Sequence, residues 1–195
     1  MSLRVVLGLS AALLGLGDLG CRERSSVTGQ RFDAVRSASP ARSSPSLYTL
    51  EALESLMEQV QQRLGNAASV LMLEITPERA TLQVESATRP GYVVQYEWEA
   101  GALRGPIPVE LRGTGALGEN LFPLSSLKVE QIPELARAAV ARVDREHGRV
   151  ERIVIRRNLP ADEAVGIRVY VDSPIRSSHV DADVRGKISE SARVP

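Results

Sequence analysis

Cysteine is nearly absent: the chain of 195 residues has one, Cys21. A lone thiol cannot close an internal disulfide, so any folded region must hold by burial and backbone hydrogen bonding. Histidine is almost as scarce, with two residues, and neither lies near a candidate nucleophile in a recognisable pattern. No serine falls in G-x-S-x-G, which leaves a hydrolytic triad little to draw on. Aromatic residues make up 4% of the chain, so a core must come from Leu, Val and Ile. The formal net charge is zero. Attraction to nucleic acid or anionic lipid is therefore not a property of the molecule as a whole, and no nucleic-acid partner is expected. No apolar run reaches the roughly 20 residues that a membrane-spanning helix needs.

The features that are present begin at the N-terminus. Arg4 precedes an almost wholly apolar stretch, Val5 to Leu16, and the small residues Gly15, Gly17 and Gly20 come next. A charged start, an apolar middle and a small-residue exit form the layout of a secretory signal peptide, expected over 1–20. Leu19-Gly20-Cys21 resembles the lipobox of bacterial lipoproteins. That resemblance implies a diacylglycerol on the Cys21 thiol, cleavage just before it and acylation of the new amino terminus. Gly20 supplies the small residue that such cleavage needs, whereas Asp18 stands where the family usually has an aliphatic residue. The competing reading is cleavage after Gly17, which would release a soluble periplasmic or secreted protein. A solitary exported thiol is a reactive liability unless it is used, so the lipid-anchored reading is favoured. The expected location is then the cell envelope, on a membrane facing the periplasm, with membrane lipid as a partner through acylated Cys21.

Residues 22–46, RERSSVTGQRFDAVRSASPARSSPS, are rich in Ser and Arg and lack an apolar period. Such composition cannot bury enough surface to offset chain entropy. A flexible tether is expected over 21–48, with a reach of roughly 25–30 Å, and a frayed tail over 191–195.

Between these ends one pattern occurs twice. Thr49 is a candidate N-cap. Leu50, Leu53, Met57, Val60 and Leu64 form an apolar helical stripe that Gly65 closes. Strands are predicted from Val70 to Ile75, around Leu82 and Val84, across Tyr92 to Trp98 and, briefly, near Leu103. Pro106 and Pro108 mark the next stretch as edge or loop. In the second half Pro133 suits a helix start, and Ile132, Leu135, Ala136, Ala139, Val140 and Val143 form the stripe, with Gly148 at its end. Strands are predicted at Val150–Arg156, through Val165–Val171 and through Val180–Val184, with a short last strand at Ile188. Matching turns recur about 80–85 positions apart. The expected fold class is α+β: two repeated units, each a helix packed on one face of an antiparallel meander, spanning 49–112 and 131–190 with a linker loop at 113–130. The element order, with turns such as Arg185-Gly186-Lys187, is similar to the PepSY and beta-lactamase-inhibitor class of exported bacterial domains over roughly 49–190. That resemblance implies a non-catalytic inhibitor, chaperone-like or interaction module, often in tandem.

Few residues point to chemistry. GTGALG, 113–118, matches G-x-G-x-x-G, but no parallel strand–helix–strand unit surrounds it and Pro123 interrupts the next turn, so a linker is expected and no cofactor. His147, at a helix end, reads as a solvated cap. Tyr92, Tyr96 and Trp98 alternate with Gln and Glu, and are expected to face the core beneath a helix. His179, Asp181 and Asp183 alternate along one strand, and three such side chains could begin a metal site. A flat row splays apart, however, and Arg152, Arg156 and Arg168, expected on the same face with Tyr170, would pair with the aspartates. The favoured function is therefore a non-enzymatic lipoprotein that binds a protein or peptide partner in the envelope through this face. The alternative is a small-molecule or metal-binding module around His179.

Overall fold

Helix α1 (Leu50–Leu64) starts where the Thr49 hydroxyl accepts a hydrogen bond from the Ala52 N–H and stops at Gly65, whose φ of 77° turns the chain out of the helix. Its inward stripe is Leu53, Leu56, Met57 and Val60. Leu50, expected in that stripe, is 42% exposed. In the computed structural model, which describes residues 46–112, 115–159 and 162–189, α1 leads into β1 (Ser69–Ile75), β2 (Arg79–Glu85), β3 (Val93–Glu99) and β4 (Ala102–Val109). A one-turn helix, α2 (Leu117–Asn120), and β5 (Phe122–Pro123) come next, then two 3-10 turns, Leu124–Ser126 and Val129–Gln131. Helix α3 (Ile132–Val143) precedes β6 (Arg149–Asn158), β7 (Asp162–Ser173) and β8 (Arg176–Asp183). The expected signal peptide, Cys21, nearly all of the tether and the tail lie outside the described residues.

The strands form one antiparallel eight-stranded sheet in the order β4-β3-β2-β1-β6-β7-β8, with β5 also paired to β1. The seam between the halves is β1–β6, where Leu73 faces Ile155 and Ile75 faces Ile153. Cross-strand partners share a face. The chain of partners from Trp98–Ala80 and Tyr96–Leu82, across Leu73–Ile155, to Ile167–Ala182 and Val169–Val180 therefore marks a single covered face. Both helices contribute to the same continuous core on that side. The fold is α+β.

Four expectations shift. The tether ends earlier than 48: Leu47 is wholly buried and its N–H donates to Pro77 O at 2.8 Å. The interval 113–130 is no idle linker. Phe122, Leu124, Leu127 and Val129 are buried in the common core, and Arg157 anchors the segment by donating to Leu121 O at 2.9 Å. Strand β4 runs through Pro106 and Pro108, which is possible because β4 is an edge strand and needs no outward N–H. Helix α3 ends at Val143, not near Gly148. Gly148 serves the turn after the helix, where its N–H donates to Asp144 O and a Cβ would collide with that same oxygen.

Tyr96 and Trp98 are buried under the helices, as their alternation suggested, but Tyr92 is 56% exposed. It precedes β3, and the Arg89 guanidinium lies 4.0 Å from its ring centroid.

Candidate functional site on the open sheet face

Helices α1 and α3 pack on the covered face, and the polar residues of the opposite face are set by strand register. Three rows cross it. The first is Arg152–Tyr170–His179; the second is Glu74–Val154–Arg168–Asp181; the third is Met72–Arg156–Gly166–Asp183. All seven residues singled out from the sequence, Arg152, Arg156, Arg168, Tyr170, His179, Asp181 and Asp183, thus lie on this one face.

In the first row the Arg152 guanidinium stacks 4.2 Å from the Tyr170 ring centroid, and the Tyr170 and His179 rings lie 5.9 Å apart. In the second row Arg168 forms a two-pronged fork with Asp181, Nε to Oδ1 at 2.7 Å and Nη2 to Oδ2 at 3.0 Å. That carboxylate, and more weakly Tyr170, hold the Arg168 guanidinium charged by raising its pKa, against the opposing effect of partial burial. Fork geometry fixes both side chains more firmly than a single-bond pair would. Val154, the apolar member of this row, is buried.

The expected metal ligands do not converge. Asp181 gives both oxygens to Arg168. The His179 Nε2 approaches only Asp181, at 3.8 Å. Asp183 turns Oδ1 to the backbone N–H groups of Arg185 and Lys187, at 2.8 and 2.9 Å, closing the turn after β8. Among the described residues no three His, Cys, Asp or Glu side chains are grouped to hold a metal ion. The physical reason is register: alternate residues of one strand point the same way, about 7 Å apart, and each is held separately, His179 beside the Tyr170 ring, Asp181 by Arg168 and Asp183 by the turn N–H groups.

The third row has a gap. Gly166 brings no side chain to the face, and a Cβ built there would meet nothing nearer than 3.9 Å. The gap is the floor of a depression of about 290 Å³ whose walls include Arg156, Asn158, Arg168, Asp181 and Asp183. Arg156 is exposed and has no ion-pair partner among the described residues. Sequence reading missed Gly166. Its signal was present as the one glycine in the alternating run Glu163–Val171, but only the strand register shows which face it leaves bare. A larger, mostly apolar cleft of about 540 Å³ opens on the helix side, beside Leu64, Val94, Tyr96 and Pro106.

At the sheet margin two carboxylates are held below the ordinary carboxylate range. Asp144 accepts from the His147 and Glu146 N–H groups, both at 3.1 Å, and the His147 bond is the largest cause of its lowered pKa. Asp172 accepts from the Ser177 hydroxyl and from Arg149, the first being the larger cause. Tyr48, whose hydroxyl donates to Glu151 O at 3.1 Å, is raised well above the ordinary phenol value, first by burial and then by Glu151 and Glu74. Among the described residues no helix is long and apolar enough to cross a membrane. No family model matches the chain, and neither a curated protein nor a solved structure matches it.

Proposed function

We propose that this chain is a non-catalytic binding module of the bacterial cell envelope, tethered by lipid on Cys21, and that it takes a protein or peptide partner on the open sheet face. The observation that carries this reading is the pre-ordered array of Arg152 on Tyr170 and Arg168 on Asp181, half-buried on the face opposite α1 and α3. Arginine and tyrosine dominate binding energy at protein interfaces. Side chains already held in one rotamer lose less entropy when a partner arrives. Polar groups on this face pair side by side and do not gather around a reacting position, which favours contact over catalysis.

The finer architectural reading belongs with this function. We infer that the helix-plus-meander order of α1 with β1–β4, and of α3 with β6–β8, reflects one unit used twice. The similarity of element order to PepSY and beta-lactamase-inhibitor domains supports the same non-catalytic role.

Two experiments test the proposal. A photo-crosslinking amino acid at position 170, in cells expressing the full chain, is expected to give a discrete crosslinked species. Arg152→Glu should abolish that species, and the same probe at Glu54, on the exposed side of α1, should not give it. Absence of the species, or its persistence in Arg152→Glu, would count against the binding face. For the anchor, metabolic labelling with a palmitate analogue should mark the wild-type chain and not Cys21→Ser; equal labelling of both would remove the lipid tether.

A further inference from the structure

The depression at Gly166 is bounded on one side by a cation and on the other by an anion that do not reach each other. Arg156 and Asp183 are the register partners of Gly166 on its two neighbouring strands. Their Cα atoms are therefore two strand spacings apart, about 9–10 Å. No ion pair joins them, and Arg156 has no other ionic partner among the described residues. Asp183 spends Oδ1 on the turn N–H groups of Arg185 and Lys187, which leaves Oδ2 without a partner among the described residues. Arg168 and Asp181, the neighbouring walls, already neutralise each other.

We propose that this depression binds the zwitterionic backbone of a free α-amino acid. The carboxylate would lie on Arg156, the ammonium on Asp183, and the ligand's Cα over Gly166. A simple anion is disfavoured because Asp183 would repel it, and a simple cation because Arg156 would. An α-amino acid held by a charge-assisted hydrogen bond of about 2.8 Å at each end spans roughly 9 Å between guanidinium nitrogen and carboxylate oxygen, a separation that the long Arg156 and short Asp183 side chains can set across Gly166. The depression, about 290 Å³, holds a small amino acid with room for a side chain that points to solvent. The planar guanidinium fork of Arg156 suits a carboxylate in particular. Tyr170 lies two rows further along β7 yet also lines the depression, so an amino acid bound here shares a wall with the proposed partner face.

Alanine is the test probe, titrated into the purified protein with the backbone amides followed by NMR. Saturable shifts are expected at Gly166 and its strand neighbours. Propionate, lacking the ammonium, and alanine amide, lacking the carboxylate, should bind at least tenfold more weakly. Gly166→Val should abolish binding by filling the floor, with its unperturbed amide spectrum elsewhere reporting the fold. Arg156→Gln, an exposed change that leaves the sheet intact, should weaken alanine at least tenfold. The proposal is overturned if alanine produces no saturable shift, if propionate or alanine amide binds as well as alanine, or if Arg156→Gln leaves the affinity unchanged.

Discussion

At the scale of single residues, backbone geometry and buried or bonded polar groups decide what can be changed. Gly105, in β4, has φ of 121°, and a Cβ there would lie 2.8 Å from Gln95 O. Gly105→Ala should lower stability by about 1–3 kcal/mol, the range for a residue forced into such a region, as read from a urea unfolding curve. Charge gives a second residue-scale test. Asp144 and Asp172 have lowered pKa values in the folded chain, so the stability they contribute is present above the ordinary carboxylate range, about 4, and is lost as pH falls through their folded values. The melting temperature should hold steady from neutral pH to about pH 5 and decline below about pH 4. Asp144→Asn, which keeps an oxygen for the His147 N–H, should make that decline shallower. Tyr48 works in the opposite direction. Its raised pKa means that stability is full below the unfolded phenol value, about 10, and falls as pH rises beyond it. Tyr48→Phe should flatten this alkaline loss in the same melting series. The capping role of Thr49 was legible in the sequence because N-cap chemistry is local; the exposure of Tyr92 was not, because it depends on where β3 begins.

At the scale of elements, the segment between β4 and α3 shows where local pattern fails. Phe122, Leu124, Leu127 and Val129 are spaced too irregularly to announce a helix or a strand, yet all four are buried. Their burial comes from the seam. Phe122 is paired to Val70 at the start of β1, on the same side as β6, and so fills the end of the core that neither meander covers. Phe122→Ala should cost about 3–5 kcal/mol, as truncation of a fully buried aromatic does, whereas a true linker residue would cost almost nothing. Chemical denaturation of the variant measures the difference. The helices and central strands, by contrast, were readable because a stripe at spacings of three and four, or alternation at two, records which face is buried. Edge strand β4 was read as shorter than it is because its prolines signal a break, and that signal holds only for strands paired on both sides.

At the scale of the whole molecule, the two halves share one sheet and one core, so they should unfold together. The single tryptophan, Trp98, lies in β3 and reports the first half. Val169 is wholly buried in β7, in the second half. Val169→Ala should therefore shift the tryptophan-fluorescence transition and the far-UV transition by the same amount, about 1–3 kcal/mol in stability. A fluorescence transition left in place while the far-UV signal splits would mean two independently folding halves. The open face is also a whole-molecule property. No strand alone places Arg152, Tyr170 and His179 in one row, or leaves Gly166 bare between Arg156 and Asp183. Those juxtapositions require three strands in one register.

The amino-acid sequence by itself determined the two long helices, the central strands and their order, because those arise from periodicity and from turn and cap chemistry acting over a few residues. It also determined that the described fold must hold without disulfides, since one cysteine cannot pair within a chain. Only the tertiary structure decided that the halves meet at β1–β6, that Phe122, Leu124, Leu127 and Val129 join the core, and which polar side chains become neighbours. Register between strands distant in sequence is set by the packing of the covered face as a whole, and a shift by one residue would turn every outward side chain inward.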